Sequence, residues 1–323
     1  MSLKKAKNHI DHAFTRKELE GLSFENAFAG ATSFLRRKYT KNLEGVDIAV
    51  TGVAFDQAVT NRPGTRLGPR AIREASTLQP FDPPFGWDFD PFTQTRIIDY
   101  GDVAFDYAKI SEFPTAVKKH IKKIISSGVS AISFGGDHYI SFPIIQAHVE
   151  KHGPLALLQF DAHSDTWPDN DFDRIDHGTM FYKAVKLGLI IPEKSVQVGI
   201  RTTNKNTLGF NIIDAREVYE LGPSKVAEKI ISIIGDEKTY LSFDIDCLDP
   251  AFAPGTGTPV SGGLSSIEAN IIMREIVGIN VVGGDIVEVC PPFDHSGVTA
   301  IAAAHIAVDL ICLLVQSRNK LGM

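Results

Sequence analysis

The chain has 323 residues, of which 43% are hydrophobic and 22% charged, and this balance is typical of a soluble globular protein. The net charge of -6 argues against a broad nucleic-acid-binding face, because neutralising phosphates requires clustered Lys and Arg. We therefore expect no nucleic-acid partner. No Ser/Gly-rich or Pro-rich linker divides the sequence, which predicts a single domain over residues 1–323.

Short apolar runs alternate with longer segments of helical periodicity, which predicts an α/β fold with a parallel sheet flanked by helices. Residues 1–40 contain no strand pattern and are predicted to form an N-terminal arm. The predicted strands occupy residues 46–53, 95–101, 129–136, 155–161, 195–200, 239–246 and 280–289. The predicted helices occupy residues 68–76, 114–127, 141–151, 178–189, 223–234, 265–277 and 298–315.

The last of these helices is the longest apolar stretch of the chain. It contains His305 and Asp309, which would be costly in lipid, so we predict a packed C-terminal helix and no membrane partner. The first residues are basic but are not followed by an apolar stretch of signal-peptide length. Cys247, Cys290 and Cys312 are widely spaced and form no CxxC pair, which favours a reducing, cytoplasmic location.

Polar side chains follow four of the predicted strands at the point where each strand ends. Because the carboxyl ends of parallel strands meet at one edge of a sheet, where functional sites form, we expect these side chains to lie together. They are Asp137, His138, Asp161, His163, Asp165, Asp244, Asp246, Asp285 and Glu288.

The strand end "QFDAHSD" carries Asp161, His163 and Asp165 at alternate positions, so their side chains share one side of the backbone, with Cα atoms roughly 6.6 Å apart. Four aspartates gathered without counter-charge would repel one another. Two dications would balance them, and mixed imidazole and oxygen ligands favour Mn²⁺, with other metals able to compete. Two such ions roughly 4 Å apart lower the pKa of a bridging water, which predicts hydrolytic chemistry.

Two rival interpretations of neighbouring motifs fail. Residues 169–180 imitate the start of a calcium loop, but Arg174 replaces the required glycine at position six and Met180 replaces the glutamate at position twelve. Gly135 and Gly136 form no phosphate loop, because no Gly-Lys-Ser/Thr follows them. We expect these glycines to let the backbone pass close to the metals.

The motifs "GGDH", "DAHSDT", "DHGTMFY", "SFDIDCLDPAFAPGTGTP" and "DIVEVCPPFD" resemble those of the arginase/agmatinase ureohydrolase family, and most closely its agmatinase branch. The resemblance covers most of the chain. It implies a three-layer α/β/α fold with a mostly parallel sheet, two Mn²⁺ per subunit, and hydrolysis of a guanidino compound to urea and an amine. It also implies a homo-oligomer, a trimer or a hexamer.

The resemblance further implies a role for each site residue. The metal ligands would be His138 and Asp165 on one manganese, His163 and Asp246 on the other, and Asp161 and Asp244 bridging both. Asp165 would also hydrogen-bond the metal-bridging hydroxide that attacks the guanidinium carbon, and would then pass a proton to the leaving amine. Glu288 would pair with the substrate guanidinium, a planar cation that matches a carboxylate. His177 would shuttle protons or position the substrate.

The segment between the metal motif and His177 contains four aspartates against the single Arg174. A local excess of negative charge favours a substrate with a distal ammonium, so we predict hydrolysis of agmatine to putrescine and urea. Guanidinobutyrate and guanidinopropionate remain alternatives, because Arg174 is able to hold a carboxylate. A non-catalytic, metal-stabilised binding protein of the same fold is the alternative from a different class.

Overall fold

The computed structural model describes residues 30–79, 83–320 and 322, and within these ranges strands and helices alternate. The strands are β1 (Ile48–Val53), β2 (Ile97–Asp102), β3 (Ser130–Gly135), β4 (Ala156–Phe160), β5 (Val196–Ile200), β6 (Asn211–Asp214), β7 (Lys238–Asp244) and β8 (Asn280–Val287). The helices are α1 (Gly68–Ser76), α2 (Pro91–Gln94), α3 (Phe113–Ile125), α4 (Ser141–His152), α5 (Met180–Lys186), α6 (Ala215–Leu221), α7 (Pro223–Ile234), α8 (Ser266–Glu275) and α9 (Val298–Lys320).

The described strands form one sheet in the order β2-β1-β3-β8-β7-β4-β5-β6. Each neighbouring pair runs parallel. Every residue of β1, β4 and β5 is buried, as expected for strands covered by helices on both faces, and this burial explains why their sequences are mostly apolar without a polar face.

Two apolar cores lie on the two faces of the sheet. Ile48 and Val50 of β1 pack in the core that also contains α1, α7, α8 and α9. Ala49 and Val53 of the same strand pack in the core that contains α3, α4 and α5. Because successive strand residues point to opposite faces, each core receives alternate residues. The predicted fold class, three α/β/α layers with a mostly parallel sheet, is confirmed.

All of the predicted strands and helices are present, with ends that differ by a few residues, and three short elements were missed. These are α2, β6 and α6. β6 is the edge strand and buries one of its four residues, Ile213, so its apolar signal is weak. α6 follows it directly, with Asp214 as its N-cap, and buries Val218. Elements with so little buried surface leave too faint a pattern for periodicity to detect.

The predicted N-terminal arm falls mostly outside the described residues, which begin at Gly30. Phe34 is fully buried, and its ring meets that of Phe134 edge-on at a centroid distance of 4.9 Å. Its backbone N–H donates to Asp99 Oδ2 at 2.8 Å. This part of the segment therefore packs against the sheet.

Helix α9 is long and apolar enough to cross a membrane by length and composition, but 78% of its most apolar window is buried inside the protein. Its one acidic residue, Asp309, is buried and accepts hydrogen bonds from Trp87 Nε1 at 2.7 Å and Arg274 Nε at 3.1 Å. A buried carboxylate is tolerated when such partners satisfy it. The observed packing is that of a core helix, as the sequence predicts.

Gly136 serves backbone packing at the end of β3. A Cβ at this position would lie 2.3 Å from the carbonyl oxygen of Phe55 and 2.6 Å from that of Val53, closer than any real contact. The close neighbour is thus the chain leaving β1. The Gly136 carbonyl also accepts the backbone N–H of Glu288 at 2.9 Å, which joins the ends of β3 and β8.

His148 on α4 makes the stability of the fold depend on pH. Burial lowers its pKa to about 4, because the uncompensated charge is costly there. In the unfolded chain this pKa is about 6.5, so between these values the unfolded state binds more protons and stability falls as the pH falls. We expect about 2 kcal/mol of unfolding free energy to be lost through His148 between pH 7.5 and pH 5.

His148→Leu should remove this share of the acid sensitivity. The measurement is urea denaturation at both pH values in the presence of a chelator. Ile145→Val is the matched control, because Ile145 is a fully buried residue of the same helix without a titratable group. It should destabilise the protein equally at both pH values. An equal pH dependence in His148→Leu and the unmutated protein would contradict the prediction.

Candidate metal centre

The predicted site residues lie together at the carboxyl edge of the four central strands β3, β8, β7 and β4. His138 follows β3 and Glu288 follows β8, while Asp244 ends β7. Asp161 directly follows β4. These strands are neighbours in the sheet although they are distant in sequence, so the parallel topology alone brings their ends together.

The first group of side chains surrounds the Nδ1 atom of His138. Asp161 Oδ2 lies 3.1 Å from this nitrogen, Asp165 Oδ2 lies 3.0 Å away, and Asp244 Oδ2 lies 3.1 Å away. All four residues are buried. Within the described part of the chain, His138 Nδ1 has no hydrogen-bond partner of acceptable geometry. One nitrogen and three carboxylate oxygens so arranged match the ligands that Mn²⁺ accepts.

The second group surrounds His163. Its Nδ1 atom lies 3.0 Å from Asp246 Oδ2 and 3.5 Å from Asp161 Oδ1. Asp161 thus presents one oxygen to each group, the placement that a bridging ligand needs. Three residues of the first group, His138, Asp161 and Asp244, bring ligand atoms within 4.8 Å of one another, as a metal site requires, and so do Asp161, His163 and Asp246 of the second. Asp244, the other predicted bridge, faces the first group through Oδ2, and its Oδ1 accepts the backbone N–H of Asp246 at 2.8 Å.

The charges of the two groups require positive counter-charge. Burial and, to a smaller extent, the neighbouring Asp161 together raise the pKa of Asp165 to about 6. Burial lowers the pKa of His163, but contacts with Asp161 and Asp246 outweigh burial and raise it to about 12. The clustered negative charge therefore favours the protonated forms of Asp165 and His163. Two divalent cations would supply that charge instead, so the residues fit the predicted metals.

Two buried glutamine side chains form a chain of hydrogen bonds that ends at Asp161. Gln159 Nε2 donates to Asp161 Oδ2 at 2.7 Å, and Gln197 Nε2 donates to Gln159 Oε1 at 2.5 Å. The two glutamines are paired across β4 and β5. Neither glutamine was predicted to belong to the site, although each is a polar residue inside an otherwise apolar strand, which was the available signal.

Asp165 and Glu288 have left-handed backbone conformations, with φ of 52° and 63°. Non-glycine residues adopt this region at a cost on the order of 1 kcal/mol or more, and they do so mainly where function demands a particular side-chain direction. Both residues carry predicted roles in catalysis. No feature of the sequence indicated this strain.

Glu288 and His177 form a hydrogen-bonded pair beside the first group. Glu288 Oε1 accepts the backbone N–H of His138 at 2.8 Å and lies 3.0 Å from His177 Nδ1. The other ring nitrogen of His177 lies 3.0 Å from Thr60 Oγ1. Burial lowers the pKa of His177, but Glu288 outweighs burial and raises it to about 9. Glu288 Oε2 is buried and has no hydrogen-bond partner among the described residues.

A cavity of about 410 Å³ opens above these groups and is large enough for a small linear molecule. Its lining combines side chains of both metal groups with residues of the following loop. The lining residues are Thr60, His163, Asp165, Trp167, Pro168, Arg174, Asp176, His177, Gly178, Thr179, Asp244, Thr258 and Glu288.

The acidic loop is less negative than its sequence suggests. Asp169 lies 3.0 Å from Lys183 Nζ, and Asp176 accepts a hydrogen bond from Arg174 at 2.8 Å. Asp171 and Asp173 are exposed on the outer side of the loop and do not line the cavity. The predicted excess of negative charge at the cavity mouth is thus reduced to the Arg174–Asp176 pair, and the sequence-based argument for a distal ammonium is weakened.

The model of the arginase family matches residues 46–312 of this sequence, which is most of the chain. The chain belongs to the arginase family. This family member is 51% identical over 311 residues to an agmatinase of Chromobacterium violaceum, and the match covers 96% of each sequence. The predicted enzyme class, an agmatinase-type ureohydrolase, is confirmed.

Two solved structures resemble this arginase-family chain along most of its length. One, described as a hypothetical agmatinase from Burkholderia thailandensis, has a TM-score of 0.92 at 52% identity and covers 96% of this chain and 98% of its own. The other is a proclavaminate amidino hydrolase from Streptomyces clavuligerus. It has a TM-score of 0.84 at 33% identity and covers 91% of this chain and 100% of its own.

Proposed function

We propose that this arginase-family enzyme hydrolyses agmatine to putrescine and urea, using two Mn²⁺ per subunit. The observation that carries the proposal is the buried Oε2 atom of Glu288, which has no partner in the described part of the chain and lies beside two groups of carboxylates and imidazoles. A buried carboxylate oxygen without a partner is costly and is stabilised by a cationic hydrogen-bond donor. The similarity to a protein named agmatinase supports the choice of guanidinium compound.

When bound, two divalent cations would supply a water-derived nucleophile at neutral pH and electrostatic stabilisation of the developing charge. His138, Asp165 and Asp244 would hold the first cation, and His163 and Asp246 the second. Asp161 would contribute to both. The chain's own residues would do the rest of the chemistry.

Glu288 would orient the substrate. Its Oε1 already faces the His138 N–H and His177, so Oε2 is the oxygen left to accept a guanidinium N–H. His177 would limit the rotation of the Glu288 carboxylate and is itself held by Thr60. With the guanidinium so held, its carbon faces the two metal groups, and the entropy of alignment is lost on binding rather than in the chemical step.

Asp165 would move the proton. Its carboxylate lines the cavity at the edge of the first group, so it is placed to take a proton from the attacking water and pass it on. The acceptor of that proton would be the amine nitrogen that leaves as putrescine.

A second candidate substrate class is a guanidino compound with a distal carboxylate. Arg174 lines the cavity, and its side chain is 58% exposed, so its guanidinium is accessible to a ligand. The similarity to the proclavaminate amidino hydrolase of Streptomyces clavuligerus adds weight to this alternative. Against it, Asp176 already pairs with Arg174 at 2.8 Å and would have to release it.

A urea-release assay tests the proposal. The Mn²⁺-loaded enzyme should show its highest kcat/KM with agmatine, as the similarity to a protein named agmatinase indicates. We expect a margin of at least about tenfold, or about 1.4 kcal/mol, over guanidinobutyrate, guanidinopropionate and arginine. Arg174→Ala is the matched variant. It should change agmatine turnover less than about fivefold, since the exposed Arg174–Asp176 pair contributes little.

Two outcomes of this assay would contradict the proposal. A preference for a carboxylate-bearing compound that disappears in Arg174→Ala would establish the second candidate. No urea from any of the four compounds, in protein that binds Mn²⁺, would instead favour the non-catalytic binding protein.

A further inference from the structure

Asp285 of β8 is fully buried beneath the metal centre and has no role in the function proposed above. Three hydroxyl groups donate to its carboxylate. Ser242 Oγ donates to Oδ1 at 2.6 Å, while Tyr240 Oη and Ser141 Oγ donate to Oδ2 at 2.6 and 2.7 Å. Burying a carboxylate so deeply is costly, and three donated hydrogen bonds offset the cost.

Ser242 connects this carboxylate to the first metal group. Its Oγ atom also lies 2.8 Å from Nε2 of His138, the ring nitrogen that faces away from the metal groups. A serine hydroxyl carries one hydrogen, and here that hydrogen is used on Asp285. The Ser242 oxygen therefore accepts a hydrogen bond, and His138 Nε2 must carry the proton that it donates.

The proton on Nε2 determines what the other ring nitrogen is able to do. A neutral imidazole with its proton on Nε2 has a lone pair on Nδ1. Nδ1 lies 3.0 to 3.1 Å from oxygens of Asp161, Asp165 and Asp244, so this lone pair points into the first metal group. In the opposite tautomer an N–H would occupy the position of the cation.

We propose that Asp285 is a positioning residue that acts through Ser242 to hold His138 in the tautomer and orientation required for the first-group cation. The inference rests on the metal binding included in the proposed function. Phe181 also packs edge-on against the His138 ring at 5.3 Å, but an apolar contact limits only the orientation and cannot select the tautomer. The hydrogen-bonded pair supplies that selection.

Replacing each of the three hydroxyl residues around Asp285 tests the proposal. Ser242→Ala should weaken binding of the first-group Mn²⁺ by about 10- to 100-fold, the usual effect of losing such a supporting contact. The second-group ion should be retained. Tyr240→Phe and Ser141→Ala each remove a donor from the same carboxylate, and neither hydroxyl bonds to the His138 ring, so these variants should bind both ions nearly as the unmutated protein does.

The readouts are Mn²⁺ stoichiometry by equilibrium dialysis and the electron paramagnetic resonance signal, which distinguishes a coupled pair of ions from a single ion. Asp285→Asn should weaken binding of the first-group Mn²⁺ as Ser242→Ala does, because an amide no longer requires the Ser242 hydrogen. Thermal unfolding in chelator monitors the fold of each variant. Loss of one ion at constant fold is an effect that a purely structural role would not produce.

Three results would overturn the inference. If Ser242→Ala binds two Mn²⁺ with unchanged affinity, Ser242 does not position His138. If Tyr240→Phe loses the first-group ion to the same extent as Ser242→Ala, Asp285 has only a packing role. Absence of Mn²⁺ binding in the unmutated protein would overturn both this inference and the proposed cofactor. Two bound ions without urea release would contradict the proposed function alone.

Discussion

Glu288→Gln is expected to lower kcat/KM for agmatine by roughly 30- to 5000-fold, because losing one charge of a buried hydrogen-bonded pair costs about 2 to 5 kcal/mol. The substitution preserves the shape of the side chain but removes its negative charge, so the guanidinium loses its counter-ion beside Oε2. Glu288 contacts the backbone of His138, and its Oε2 is free of other partners among the described residues. Urea release under Mn²⁺ saturation measures the effect.

The metal content of this variant separates substrate binding from damage to the metal centre. We expect two Mn²⁺ to remain bound, because Glu288 belongs to neither metal group. Glu268→Gln is the matched control. Glu268 caps α8 by accepting from Ser265, does not line the cavity, and should not affect turnover when replaced. Unchanged turnover in Glu288→Gln would remove Glu288 from the mechanism.

Chelation is expected to abolish urea release, and Mn²⁺ is expected to restore it better than other divalent ions. Without cations the aspartates of the two groups compete for protons, and no group among the described site residues would generate a strong nucleophile at neutral pH. Chelation should also lower the melting temperature. An ion present at a hundred times its Kd stabilises the folded state by about 2.7 kcal/mol, and this contribution is lost on its removal.

Two ligand variants refine the chelation experiment. Asp161→Asn should weaken both ions, because Asp161 places one oxygen in each group. Asp246→Asn should weaken the second-group ion alone, because Asp246 lies beside His163. Full activity of metal-free protein, or equal metal content in the two variants, would contradict the assignment of the groups.

The sequence alone predicted the sheet and the location of the site. Strands such as β4 and β7 are buried over nearly their whole length, so they are mostly apolar and are followed by clusters of charged residues. The alternation of Asp161, His163 and Asp165 is likewise a local property of extended backbone. Weakly buried elements such as β6 and α6 lacked this signal and were missed.

The sequence did not show which charged side chains of the acidic loop pair with one another. The loop aspartates looked like a uniform negative charge, but Lys183 neutralises Asp169 and Arg174 neutralises Asp176. Charge in a cavity depends on which side chains meet in space, and composition cannot give that.

What the sequence by itself determined is the α/β fold with a parallel sheet and the set of residues at its carboxyl edge, because both follow from local periodicity and parallel topology. The resemblance of the motifs already implied that the ligands divide between two metals. Only the tertiary structure decided that Asp161 presents one oxygen to each group, and that Ser242 links Asp285 to His138. The left-handed backbone at Glu288 was likewise visible only in the structure, because no neighbouring residue in the sequence indicates it. The physical reason is that hydrogen bonds, tautomers and strain are set by contacts between β3, β7 and β8, which become neighbours only when the sheet forms.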